Sequence, residues 1–310
     1  MVVAAAKWLE NSLLRRLVMK ATVFDERINK LGEGPTATGE KNNLVTWVDI
    51  HGMLVRSRDL VSGAVTEFST TEHIGFQIPT KDGGHLLGTV SGPVLRAADG
   101  TIKQLVNRSV ADGFTASRSV RWNDGKVSPQ GDLFLGTMAY DFATNASAFY
   151  QMNPDGTHMR RLFGDVTISN GLDWSPDGQR MYYIDSPLYR VDVFDVEERD
   201  IKNRRTIVKF DDTKGSPDGM CTDSEGNLWI AFYEGAAIRC FDSQTGKQLE
   251  EIECVAHFMT SCVFAGENLD QLVMTSIGET EDHEKYPEAG MTLIAQPGVR
   301  GKKTNIFGGN

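Results

Sequence analysis

Residues 169–185 read SNGLDWSPDGQRMYYID and residues 215–233 read GSPDGMCTDSEGNLWIAFY. Both contain Ser-Pro-Asp-Gly, yet the two copies cannot have one role. When the strand-like RMYYID (180–185) is laid over LWIAFY (228–233), the tetrapeptide Ser175-Pro176-Asp177-Gly178 falls on Asp223-Ser224-Glu225-Gly226. The first copy is therefore expected to be a hairpin turn, where Pro and Asp favour the bend and Gly accepts positive φ. The second copy lies upstream of its own turn, and its Asp218 takes the slot that Asn170 occupies in the first passage.

The same frame extends backwards. The turn Ser128-Pro129-Gln130-Gly131 brings Asn123 to the slot, and Thr80-Lys81-Asp82-Gly83 brings Gly75 there. Successive slot residues are 47 or 48 positions apart, a period typical of four-stranded propeller blades. Looser matches place Glu33 one unit earlier and Ser261 one unit later, giving six units with no linker between them. Short runs rich in β-branched and aromatic residues, such as LVTWVDI, HLLGTV and DLFLGTM, each follow a polar turn and supply the strands. The expected fold is all-β, a six-bladed β-propeller over residues 21–310 with a central metal-binding channel, preceded by an N-terminal extension, 1–20. A pair of β-sandwiches would not place a polar residue at one phase in repeat after repeat.

Composition narrows the function. The chain has 310 residues, with 32 Lys and Arg against 42 Asp and Glu, a formal charge of -10. That charge argues against nucleic acid as a partner. No run of 18 apolar residues is present, so no membrane span is expected. The opening MVVAAAKWLENSLLRRLVMK lacks a continuous apolar core of signal-peptide length, and reads as an amphipathic helix or a disordered extension. Cys221, Cys240, Cys254 and Cys262 show no C-x-x-C spacing and sit in apolar stretches, which suits a reducing, cytoplasmic location. Oligomeric state leaves no mark in the sequence.

In a propeller the starts of the innermost strands converge on the axis, so Glu33, Asn123, Asn170 and Asp218 should meet. All four are oxygen donors, which suits a hard divalent cation. The six histidines form no H-x-x-x-H or H-x-H pair, so a histidine-rich zinc site is not visible. Arg121, two residues before Asn123, shares its strand face and should also look into the channel, where a guanidinium suits a ligand rich in hydroxyl or carboxylate oxygens. G-x-S-x-G is absent, which removes the serine-hydrolase elbow. Gly32-Glu33-Gly34-Pro35-Thr36-Ala37 matches G-x-G-x-x-A but opens no βαβ unit, and is expected to be a loop.

Together, LGEGP (31–35), WVDI (47–50), RWNDGKVSPQGDLFLGTM (121–138), SNGLDWSPDG (169–178), SPDGMCTDSEGNLW (216–229), TSCVF (260–264) and PGVRG (297–301) resemble the SMP-30/gluconolactonase/regucalcin-like family. The resemblance runs from about residue 21 to the C-terminus. It implies a six-bladed propeller with one divalent metal ion, Ca²⁺ foremost, with Mg²⁺, Mn²⁺ or Zn²⁺ as alternatives. It implies metal ligands at Glu33, Asn170 and Asp218, and substrate contacts at Arg121 and Asn123. A further substrate-contacting acid falls on Asp141, where relatives have Glu. The implied activity is that of a carboxylic ester hydrolase, a gluconolactonase-like lactonase opening a small sugar lactone. A phosphotriester or organofluorophosphate hydrolase and a non-catalytic calcium-binding regulator are the alternatives. Asp218 is the implied general base, although a cation beside it would weaken it as a base. Attack by a metal-bound hydroxide stays open beside it.

Overall fold

The computed structural model describes residues 19–106 and 119–308. Six antiparallel sheets follow one another along the chain at 32–69, 74–104, 120–166, 169–209, 216–253 and 259–295, and we number these blades I to VI. Their innermost strands are Gly32–Thr38, Ile74–Pro79, Val120–Val127, Ser169–Trp174, Ser216–Thr222 and Met259–Ala265. Each lies against the next, and the sixth against the first, so the ring is closed.

Closure is made by the chain's own start. Thr22–Asp25 pairs antiparallel with Thr292–Ala295 and becomes the outermost strand of blade VI. Met19–Lys20 adds a fifth, parallel strand to blade V. The expectations for residues 1–18 lie outside the described residues. At the far end of the axis, segment 301–307 crosses the ring and touches every blade. Gly301 bridges Asp223 and donates its N–H to Leu269 O; Lys302 reaches Trp174 O. Thr304 Oγ1 accepts from Ala37 N, Asn305 donates to Val127 O, and Phe307 bridges Thr80.

The core consists of six apolar clusters, one in each gap between neighbouring blades. Every sheet is thus covered on both faces, and strands such as LFLGTMA, SAFYQM and LWIAFY are buried with almost no alternation. Trp47, Trp122, Trp174 and Trp229 fill these gaps completely. Only outermost strands such as Val65–Ser69 and Ile102–Gln104 face water. Three of the cysteines are buried and Cys254 partly so, all unpaired.

The turn phases agree with the repeat. Gly83, Gly131, Gly178 and Gly226 all have positive φ and donate to the carbonyls of Thr80, Ser128, Ser175 and Asp223. The segment Gly32–Ala37 corrects its expectation, since it is the innermost strand of blade I rather than a loop. Gly34 and Pro35 both sit in a β-bulge between Glu33 and Thr36. There the ladder needs no N–H from Pro35, and Gly34 takes a φ of 51°.

Candidate metal and substrate site

The innermost strands of blades I to V each carry a bulge at the same height, leaving two residues unpaired against one. The unpaired residues include Gly75, Asn123, Asn170 and Asp218, the slot read from the sequence. A bulge frees a residue from the ladder and re-aims its side chain, and here it turns the polar side chains toward the axis. Glu33 is the exception, because it still pairs with Val48 and Gly34 occupies the bulge. In blade VI the unpaired residue is Thr260, and Ser261 pairs with Thr275.

The close packing of the ring explains the glycines here. A Cβ on Gly171 would stand 2.6 Å from Asp218 O, and one on Gly75 would stand 2.1 Å from Trp122 O. Neither glycine has a positive φ. The Asn-Gly and Asp-Gly pairs on the inner strands therefore serve close approach of the next blade and not a turn.

The slot side chains form one hydrogen-bonded row. Arg121 Nη1 donates to Asn123 Oδ1 at 2.6 Å and to Trp122 O at 3.1 Å. Asn123 Nδ2 donates to Asn170 Oδ1 at 2.6 Å, and Asn170 Nδ2 donates to Ser186 Oγ at 2.7 Å. Ser186 thus fixes the Asn170 amide, whose nitrogen donates to it while its oxygen accepts from Asn123. Ser186 carried no signal in the sequence beyond following the strand RMYYID. Asp49 and Asp185 clamp the entries to two of these strands by accepting N–H bonds from Lys30 and Leu31, and from Thr167 and Ile168.

Electrostatics single out the two candidate acidic ligands. Glu33 is pushed up to about 8 by burial and by nearby Asp124, against the opposing N–H of Gly34 and charge of Arg121. Asp218 is raised well above the carboxylate range by burial, Glu33 and Asp124, with Arg121 and the Gly219 N–H opposing. Its Oδ1 is buried without a hydrogen-bond partner. Asp124 is itself a half-buried acid held above its ordinary value by desolvation, with Lys126 opposing. It was not singled out in the sequence, because it lies one position past the slot. The structure therefore brings together Glu33, Arg121, Asn123, Asn170 and Asp218. Asp141 is placed apart, on an exposed loop where its carboxylate accepts from Ala143 N.

Beyond the slot, toward the crossing segment 301–307, lies a cavity of about 280 Å³ lined by Asp124, Lys126, Asp173 and Lys302 among others. Its charges are matched: Lys126 and Lys302 stand 3.9 and 3.4 Å from the Asp173 carboxylate. Burial would raise Asp173, but the two lysines and the N–H groups of Trp174 and Thr222 hold it below its ordinary value. None of Glu33, Asn170 or Asp218 lines this cavity, so the two ends of the axis differ in kind.

Among the described residues no helix is long and apolar enough to cross a membrane. Among the described residues no group of three or more His, Cys, Asp or Glu could hold a metal ion; the candidate set of Glu33, Asn170 and Asp218 has two acids and one amide.

Residues 31–278 match the family model of the SMP-30/gluconolactonase/LRE-like region. The chain is 36% identical over 286 residues to regucalcin of Danio rerio, covering 88% of this chain and 93% of that one. A solved structure of a calcium-binding protein, regucalcin, from Agrobacterium tumefaciens superposes with a TM-score of 0.85 at 25% identity, covering 94% of this chain and 98% of that one. A gluconolactonase from Xanthomonas campestris shares the fold, with a TM-score of 0.71 at 20% identity over 89% of each chain. By the length of these matches, this chain belongs to the SMP-30/gluconolactonase/LRE-like family.

Proposed function

We propose that this protein is a divalent-metal-dependent lactonase that opens a sugar lactone, such as an aldono-1,5-lactone, to the open-chain acid. The observation that carries this is the state of two carboxyl groups at the slot. Burial and neighbouring acids hold both Glu33 and Asp218 above the ordinary carboxylate range, and Asp218 Oδ1 has no partner. A bound cation is the group that would make both anions stable there. Glu33, Asn170 and Asp218 would hold it through oxygen, a set that suits Ca²⁺ first and admits Mg²⁺, Mn²⁺ or Zn²⁺. When bound, the ion supplies Lewis-acid polarisation of the lactone carbonyl.

The chain's own residues supply the remaining steps. Both hydrogen bonds of Arg121 leave from Nη1, so its Nε and Nη2 donors serve substrate oxygens. Asn123, fixed between Arg121 and Asn170, holds the ring in place, which converts attack into a pre-oriented step. Asp218, through the carboxylate oxygen that a cation leaves free and against the weakening such a cation brings, takes a proton from the attacking water. It returns that proton to the ring oxygen as the acyl–oxygen bond breaks. The family name and the gluconolactonase sharing the fold support this reading.

A second reading, calcium binding without turnover, is favoured by the description of the Agrobacterium relative as a calcium-binding protein. The test is hydrolysis of D-glucono-δ-lactone by metal-stripped protein, followed with a pH indicator and corrected for spontaneous opening, as Ca²⁺, Mg²⁺, Mn²⁺ and Zn²⁺ are restored one at a time. Turnover that returns with metal and disappears in Asp218→Ala supports the lactonase. Calorimetric metal binding with no turnover of lactones sinks it. Phosphotriester hydrolysis by the same protein would then identify the other hydrolase, and its absence would leave the binding protein.

A further inference from the structure

The proposed reaction leaves unexplained a row of side chains that runs round one side of the same mouth. It starts at Glu279, in the loop after the second strand of blade VI, which bonds His51 Nδ1 from blade I. The His51 ring packs on His73 with centroids 5.1 Å apart. His73 Nδ1 then meets Tyr140 Oη at 2.9 Å. Tyr140 in turn lies within electrostatic reach of the buried Arg121 guanidinium, ahead of Glu33 and Asp218 in its influence on that group. Four blades thus contribute one residue each to a row that ends on the substrate-facing arginine.

The strand register gives the reason that Tyr140, and not Asp141, faces this way. Arg121 pairs with Met138 and Val120 with Ala139, and the ladder continues with Tyr140 N donating to Ser119 O. Tyr140 therefore sits diagonally across from Arg121 on one face of the sheet, within reach for a long side chain. The chain then bends, with Phe142 N donating back to Ala139 O. Asp141 is carried outward.

We propose that Tyr140 is a second substrate-holding side chain beside Arg121, positioned by His73, which is itself seated by the His51–Glu279 pair. This rests on the lactonase reading and adds to it a phenol that meets a substrate oxygen next to the guanidinium. His73 suits this role because burial, His51 and Arg121 all favour its neutral ring, with only Glu279 opposing. A neutral imidazole fixes the phenol without adding charge to the mouth. The substrate favoured by such a cradle has an oxygen-rich, polar edge that accepts from Arg121 and pairs with a hydroxyl, as the polyol edge of a sugar lactone does.

The experiment compares wild type, Tyr140→Phe, His73→Ala and His73→Gln in their metal-loaded forms. It measures steady-state hydrolysis of D-glucono-δ-lactone and calorimetric affinity for the product gluconate. Tyr140→Phe should raise both KM and the gluconate Kd about tenfold while kcat moves less than about threefold, as expected for lost binding and not lost chemistry. His73→Ala should follow it in part, and His73→Gln, which keeps a polar partner for the phenol, should recover wild-type KM. An unchanged KM and Kd in Tyr140→Phe, with its thermal midpoint unchanged, overturns the role of Tyr140 and leaves the lactonase standing. Wild type that neither turns over the lactone nor binds gluconate brings down both.

Discussion

Asp177 and Asp218 share the local sequence Ser-Pro-Asp-Gly, and the fold gives them opposite chemistry. Asp177 is at an exposed hairpin tip, where its Oδ1 accepts from Ser175 Oγ at 2.5 Å and from Gln179 N at 3.0 Å. These bonds hold it below the usual carboxylate value. Asp218 is in a buried bulge beside Glu33, with an unpartnered Oδ1, and is raised instead. The tetrapeptide stabilises a turn when its own backbone can bend onto it. It becomes a reactive acid when the inner ladder holds the backbone extended and directs the side chain at other acids.

Alanine at each position breaks the comparison most directly. In the metal-loaded protein Asp218→Ala should lower lactone kcat/KM by about 10³-fold or more, a loss on the scale of removing a main electrostatic contributor. Asp177→Ala should leave it within about twofold, as an exposed turn residue remote from the axis. Equal losses in a side-by-side kinetic assay would show that the two copies are not functionally distinct.

The second difference is in pH dependence. Glu33 and Asp218 have raised pKa values in the metal-free fold, so between the unfolded carboxylate value and about 8 the folded protein keeps protons that the unfolded chain has released. Metal-free protein should therefore lose stability as pH rises from about 5 to about 8. Saturating Ca²⁺ should flatten that slope. Asp177, being lowered, contributes in the opposite sense, with stability that fades as pH falls through its folded value. Thermal midpoints from about pH 5 to about 8, with chelator and with Ca²⁺, check the first sign, and an Asp177→Asn comparison below about pH 4 checks the second; a metal-free slope of the other sign would remove the argument for a cation.

Smaller effects sharpen the picture. Ser186→Ala frees the Asn170 amide to rotate and should weaken metal affinity about tenfold by calorimetry, as loss of an orienting partner does. Gly178→Ala places a side chain at a φ of 69°, and should lower stability by about 1 kcal/mol with kcat/KM intact. Denaturant unfolding alongside the lactone assay separates these two outcomes.

The repeat was legible because turns and strands obey local rules. The phase of Thr80–Gly83, Ser128–Gly131, Ser175–Gly178 and Asp223–Gly226 was enough to place Asn123, Asn170 and Asp218 at one height. Glu33 was placed there only by a looser match, 42 positions before Gly75, and it still pairs with Val48 while Gly34 and Pro35 form the bulge. Ser186, Asp124 and Tyr140 were not legible. Their importance depends on which neighbour lies across a blade boundary, and no periodicity along the chain encodes that.

The sequence by itself determined the number of blades, the turn chemistry and the residue types that reach the axis, since each depends on contacts within about one repeat. Tertiary structure alone decided how those residues act. Ring closure by Thr22–Asp25, the approach of Asp218 to Glu33 across blades and the contact of Tyr140 with His73 join distant positions. The pKa of a carboxyl group is set by burial and by the charges around it. Those are fixed only when the ring closes.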